Sequence, residues 1–213
     1  MPRKTNSDSL LDAAGRVFGR RGYHAARVSE IAAEAGVAQG TVYLHFASKE
    51  QLYIGLLERF AGMLRATSEG LAWADIRSAD ELGDRLAGLC ADIFELCAAN
   101  REVASLLLDG PPVGGRSLEI RTGLLSTAEA IASRYLAAGT EAGLFRTVNA
   151  HPIARAIVGF LFYTVTRTIV EDGRTERLRE LAEELVDFEM HGLLGSRAPA
   201  GVAGLPTPTG LPE

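Results

Sequence analysis

A chain of 213 residues with 47% hydrophobic content can bury one sizeable core, or a small domain joined to a larger one, which excludes disorder throughout. Its formal net charge of -5 excludes a protein coated in positive charge, yet the balance is uneven: residues 1–49 hold seven Lys or Arg against four Asp or Glu, and the remainder fifteen against twenty-three. A modestly positive head on an acidic body suits a protein that meets phosphates at one end only.

Residues 1–7 read as a polar arm in which Arg3 and Lys4 could reach phosphates. A helix follows from about Ser9 to Arg21, with Leu10, Ala13, Ala14, Val17 and Phe18 on its apolar face and Gly22 at its end. The stretch Val28 to Lys49, VSEIAAEAGVAQGTVYLHFASK, then reads as two short helices around a tight turn. Ile31, Ala32 and Ala35 give the first an apolar stripe, Gly36 supplies the backbone freedom of the turn, and Val37 plugs the angle between the helices. In the second, Val42 and Phe46 share one face and leave Gln39, Gly40, Thr41, Tyr43, Leu44 and His45 on the rest of a helix short enough for a major groove. This is the pattern of a helix-turn-helix. Ser48 is placed to cap a fourth helix with Gln51 completing a capping box, and Leu52, Tyr53, Leu56, Leu57 and Phe60 carry that helix toward Thr67.

Beyond it the chain shows almost no strand signal, and helices are predicted near 79–99, 101–109, 116–139, 151–171 and 174–192. Breaks fall at Gly110 with Pro111 and Pro112, at Gly139 with Gly143, and at Gly173. The predicted class is all-α, with a helix-turn-helix domain at 1–48, a helical ligand-binding and dimerisation domain at 49–195, and a disordered tail at 196–213 that holds four of the eight prolines. Cys90 and Cys97 lie two helical turns apart, too far for a disulfide, and read as small buried hydrophobes. No apolar run reaches the length of a membrane span and MPRKTNSDSL leads into no signal-peptide core, so the expected location is the cytoplasm, without a membrane partner.

Within the motif, the Gln39 amide can donate and accept across an adenine edge at once, which makes it the best base reader. Thr41 can touch a phosphate or a base methyl group, and Tyr43 and His45 can donate to phosphate. Lys49 and Arg27 form phosphate clamps on either side. Gly40 allows either close approach to DNA or simple tolerance of glycine in a short helix.

Residues 9–60 resemble the amino-terminal domain of the TetR family of bacterial transcriptional repressors. The likeness is carried jointly by RGY, IAAEAGV, GTVYLHF and SKEQL within LLDAAGRVFGRRGYHAARVSEIAAEAGVAQGTVYLHFASKEQLY. It implies an all-helical homodimer whose third helices enter successive major grooves of a palindromic operator, and a ligand-binding domain formed by the later helices. It aligns Gln39 with a base-reading position and Thr41, Tyr43, His45 and Lys49 with positions near the DNA backbone. Two departures stand out: Ala38 occupies a place where Ser is common, and Ala26 and Arg27 replace a frequent small hydroxyl residue.

The body reads less sharply. Ile157, Phe160 and Leu161 with Leu181, Leu185 and Phe188 supply faces for a two-fold four-helix interface. Met63, Trp73, Phe94, Leu106, Leu107, Tyr135, Phe145 and Phe162 supply bulk for a cavity that favours a small, largely apolar effector. No cofactor, metal-ligand cluster, paired carboxylates or phosphate loop is recognisable, and His24, His45, His151 and His191 are dispersed, so an enzyme is not expected. The competing class is a helical scaffold that binds another protein through residues 150–192, which leaves the basic motif without a purpose. Either repression or activation is compatible with the motif, because promoter position decides the outcome.

Overall fold

The protein, seen as a computed structural model, is described over residues 7–69, 76 and 78–194. The arm with Arg3 and Lys4, Trp73 and the tail from 196 lie outside the described residues. Three helices, α1 (Ser7–Ala25), α2 (Val28–Ala35) and α3 (Gln39–His45), make a small amino-terminal bundle. The larger bundle holds α4 (Lys49–Glu69), α5 (Ala79–Ala99), α6 (Arg101–Leu108), α7 (Gly114–Glu141), α8 (Ala150–Thr164) and α9 (Leu178–Leu194). A π-helical segment, Val165–Glu171, continues α8. The all-α, two-bundle architecture expected from the sequence is the one observed.

One cluster of buried side chains runs through both bundles. Leu10, Ala14 and Phe18 of α1, Ile31 of α2, Val42 of α3 and Leu52 and Leu56 of α4 pack into it, and it continues into α5 and α6 through Phe94 and Leu107. Each such leucine or phenylalanine contributes about 1.5 to 3 kcal/mol of apolar burial, so the small bundle is cemented to the body as well as tethered to it. A separate cluster joins Leu82, Tyr135, Leu136, Phe145, Val186 and Met190. Glycine permits a close seam: a Cβ at Gly19 of α1 would collide with Cβ of Glu102, and one at Gly15 would sit 3.2 Å from a Val103 methyl, both on α6. Between α4 and α6 the buried Tyr53 hydroxyl donates to the Leu106 carbonyl at 3.3 Å.

Several details of the helices differ from the sequence expectation. Gly22, at φ 73° and ψ 162°, is non-helical and interrupts α1 where the sequence places its end, and a short further turn reaches Ala25, with the Tyr23 ring 4.8 Å from Tyr53 and 5.8 Å from Phe18. Helix α7 is longer than 116–139 at both ends. Helix α9 begins at Leu178, later than 174, since Gly173 and Arg177 both take positive φ and the Arg174 amide turns back to the Thr168 carbonyl. The continuous helix Ala150–Glu171, 22 residues holding an 18-residue window of mean hydropathy 1.5, is long and apolar enough to cross a membrane by length and composition, contrary to the expectation that no such run exists. Uninterrupted helix through the π segment joins two apolar stretches, each of which is shorter than a span on its own.

Burial pushes the thiols of Cys90 and Cys97 up to about 12, which keeps them protonated and unreactive at neutral pH. Glu189 of α9, close to Cys90 and Tyr135, is pushed up to about 7 by the same desolvation.

Candidate nucleic-acid interface and body cavity

The turn between α2 and α3 is built on Gly36, whose φ of 70° and ψ of 32° are left-handed. Its amide donates to the Ala33 carbonyl at 3.1 Å and the Val37 amide to Ala32 at 2.9 Å, the paired bonds of a Schellman ending. Val42, 1% exposed, anchors α3 to the core. Phe46 packs against the same core, and Gly55 of α4 leaves room for its ring: a Cβ there would lie 3.2 Å from Phe46.

With Val42 turned inward, the remaining face of α3 is presented outward. Gln39, Gly40, Tyr43, Leu44 and His45 are exposed, Leu44 at 85%, while Thr41 is half-buried. Arg27, just before α2, is exposed as well, its amide donating to the Glu30 carboxylate at 3.0 Å. Ala38 precedes α3 without a side-chain cap. Ser48 caps α4 by accepting from the Gln51 amide at 3.1 Å, and Gln51 accepts from Ala47 at 3.2 Å, so the reciprocal box forms one residue out of register. Both carboxylates of α2 are paired with arginines of α1. Glu34 takes Arg16 at 2.7 Å and Arg20 at 2.5 Å, which hold its carboxyl below the usual range, and Glu30 takes Arg21 at 3.1 Å.

Lys49 is placed differently from its neighbours in the motif. Its ammonium donates to the carbonyls of Tyr23, His24 and Ala26 at 2.9, 3.2 and 3.0 Å and lies 4.5 Å from the centre of the Tyr23 ring. All three donors of the amine expected on phosphate are therefore engaged within the chain, at the carboxyl end of α1, where the helix carbonyls favour a cation.

A cavity of about 100 Å³ lies in the body, bounded by five helices and the π segment. Leu64 and Ser68 come from α4, Ile93 and Cys97 from α5, Leu108 from the end of α6, Arg121, Leu124, Leu125 and Ala128 from α7, Val158, Leu161 and Phe162 from α8, and Val165 from the π segment. Of the side chains expected to touch a ligand, Phe162 is here. Phe94 and Leu107 are buried in the shared core, Tyr135 packs edge-on to Phe145 at 5.1 Å in the second cluster, and Met63 points from α4 with 39% exposure. Leu161, expected in the dimer face, lines the cavity. Bulk is a misleading guide, since large aromatic side chains fill space and a cavity is walled by the aliphatic residues that do not. A helical stripe of Leu and Val on α7 and α8 is the signal that marks it.

On the outside of α8 and α9, Phe160, Tyr163 and Phe188 are 39%, 63% and 72% exposed, with the Phe160 and Phe188 ring centres 6.3 Å apart. Ile157, Leu181 and Leu185 are half-buried beneath.

The profile of bacterial regulatory proteins of the tetR family matches residues 10–56, which span α1 to the first half of α4. Solved structures extend the likeness over the body: the transcriptional regulator FadR from Bacillus subtilis in complex with stearoyl-CoA superposes with a TM-score of 0.72 at 26% identity, covering 88% of this chain and 100% of that one. The amino-terminal domain is of the TetR family. The fatty acid degradation regulator FadR from Bacillus halodurans gives a TM-score of 0.70 at 26% identity, covering 89% of this chain and 97% of that one. In sequence, the fatty acid metabolism regulator protein of Bacillus subtilis is 28% identical over 190 residues, 86% of this chain and 93% of that protein. The transcriptional activator FasR of Mycolicibacterium smegmatis is 49% identical over 59 residues, 28% of this chain and 27% of that protein. These likenesses support a ligand-responsive regulator of the TetR type.

Proposed function

We propose that this TetR-family protein is a cytoplasmic repressor that binds a palindromic operator as a homodimer and leaves it when a small, largely apolar effector enters the cavity among α4, α5, α7 and α8. The observation that carries the reading is the placement of α4: it begins directly after the outward-facing α3, and its far half supplies Leu64 and Ser68 to the cavity wall. In this reading Gln39 contacts a base edge, Leu44 meets a base methyl group, and Arg27, Thr41, Tyr43 and His45 contact the backbone across Gly40. Lys49 acts indirectly, by fixing the end of α1 against the start of α4.

The dimer uses the exposed Phe160, Tyr163 and Phe188 with Ile157, Leu181 and Leu185, an apolar face that a second copy would cover. The size of the cavity supplies the switch. About 100 Å³ is well below the roughly 300 Å³ at which drug-sized ligands begin to fit, so an effector must bind a dilated conformation in preference to this one. Dilation displaces the far half of α4, while Tyr53 and Leu106 hold its near half at the seam with α6, and the separation of the two reading heads changes. The stearoyl-CoA complex of the Bacillus subtilis relative supports an effector with an acyl-like chain.

Selection of bound duplexes from a random library, repeated in the presence of lipid-soluble metabolite fractions, tests the reading. Enrichment of an inverted repeat that one fraction abolishes supports it; failure to enrich any duplex by a folded dimer refutes it.

A further inference from the structure

The wall of the cavity carries one charged side chain. Arg121 of α7 stands among aliphatic neighbours, Phe162 and the small polar groups of Ser68 and Cys97. Its guanidinium donates to the Leu108 carbonyl at 3.4 Å, a long bond at the carboxyl end of α6, and among the described residues no carboxylate pairs with it. By contrast Arg59 is neutralised by Asp12 at 2.6 Å and Arg116, on the same helix as Arg121, by Glu58 at 2.8 Å. A half-buried guanidinium with one weak partner keeps most of its five donors available, and a desolvated unpaired charge is costly until an anion meets it. Carboxylate oxygens match the planar fork in two parallel bonds.

Resting on the proposal that this cavity receives the effector, we infer that the effector is an amphipathic carboxylate. Its hydrocarbon chain lies against Val158 and Phe162, and its carboxylate pairs with Arg121. The head group then sits at the connection from α6 to α7, because Arg121 also borders the small hollow beneath Gly110, Pro111 and Pro112. A carboxylate draws the guanidinium from the Leu108 carbonyl, two residues from the Leu106 carbonyl that accepts the Tyr53 hydroxyl. The chain supplies affinity, and the head group acts on the seam between body and reading head.

Calorimetric titration of the full-length protein with straight-chain carboxylic acids, their methyl esters and their coenzyme A thioesters tests this, with release of the selected duplex followed in parallel. The acids are expected to bind at least tenfold more tightly than the esters, to lose at least tenfold with Arg121→Gln, to regain part of it with Arg121→Lys, and to release DNA where esters do not. Esters or thioesters that bind the natural protein as tightly as the acids overturn the inference without recourse to any variant. Val158→Trp, which fills the cavity, separates the two levels: if it abolishes binding of acids and esters alike, the cavity is the site whatever the head group, and if it leaves binding of the acids intact, the cavity reading falls and the Arg121 inference with it.

Discussion

Replacing Lys49 with alanine separates a structural cation from a phosphate contact. The substitution deletes three bonds from one ammonium, at 2.9, 3.2 and 3.0 Å, together with its packing on the Tyr23 ring. A charged hydrogen bond is worth about 1.5 to 3 kcal/mol when fully buried, but Lys49 is half-exposed and water can reach the freed carbonyls, so about 2 to 3 kcal/mol in total is expected. For a chain of this size each kcal/mol moves the melting midpoint by about 2 to 4 °C, which gives a fall of roughly 4 to 12 °C. Thermal melting by circular dichroism measures that directly. Affinity for preferred and unrelated duplexes should weaken together, because the end of α1 is loosened in every complex, while the slope of log affinity against log salt stays unchanged, as no counterion is displaced by this amine. A lysine seated on phosphate predicts the reverse, a slope shallower by about 0.9 for each phosphate it ceases to neutralise and an unaltered melting midpoint. That second pattern would refute the assignment of Lys49 to the end of α1.

The same geometry sets three other expectations. Gln39→Ala should flatten the preference at one symmetric base position at a cost of about 1 to 3 kcal/mol, and an unchanged base ranking in duplex selection would remove Gln39 as a reader. Phe160→Glu should give a helical monomer that no longer binds the operator, since the two-fold axis places the charge in the seam twice; sedimentation with circular dichroism decides, and a helical dimer sinks the assignment. Glu189 is pushed up to about 7 by burial, so the folded state keeps a proton that the unfolded chain gives up near the ordinary glutamate range. Stability should therefore decline as pH rises toward 7 and level off above it. Glu189→Gln should abolish that decline and gain about 1 to 2 kcal/mol at pH 8, after allowance for partial solvent screening, as read by urea unfolding.

The reading head is legible in the sequence because its determinants are local. The apolar stripe of Ile31 and Ala32, the left-handed Gly36 and the inward Val42 lie within a dozen residues of one another, and each restricts the backbone on its own. The exposed positions of α3 follow once the buried ones are known. The cavity is not legible, because its wall is assembled from five helices and defined by what those helices leave empty; only Phe162 among the expected ligand residues lines it. Arg121 carries no local mark that distinguishes it from Arg116, five residues earlier. What separates them is that Glu58 of α4 reaches one and no described carboxylate reaches the other.

The carboxyl ends of two helical segments are fixed by cations far away in the chain. Lys49 holds carbonyls at and just past the end of α1 from 23 to 26 residues downstream, and Arg101 donates to the carbonyls of Val170 and Glu171, at 2.8 and 3.2 Å, from 69 and 70 residues upstream. This sets rules for building chimeras. A reading head transplanted as residues 7–48 would leave its own clasp behind on the donor body, and a recipient without lysine at the junction would receive a frayed α1. Cutting after Lys49 carries the clasp along, whereas the exposed His24 can be exchanged, because what it gives the clasp is a carbonyl that any residue supplies.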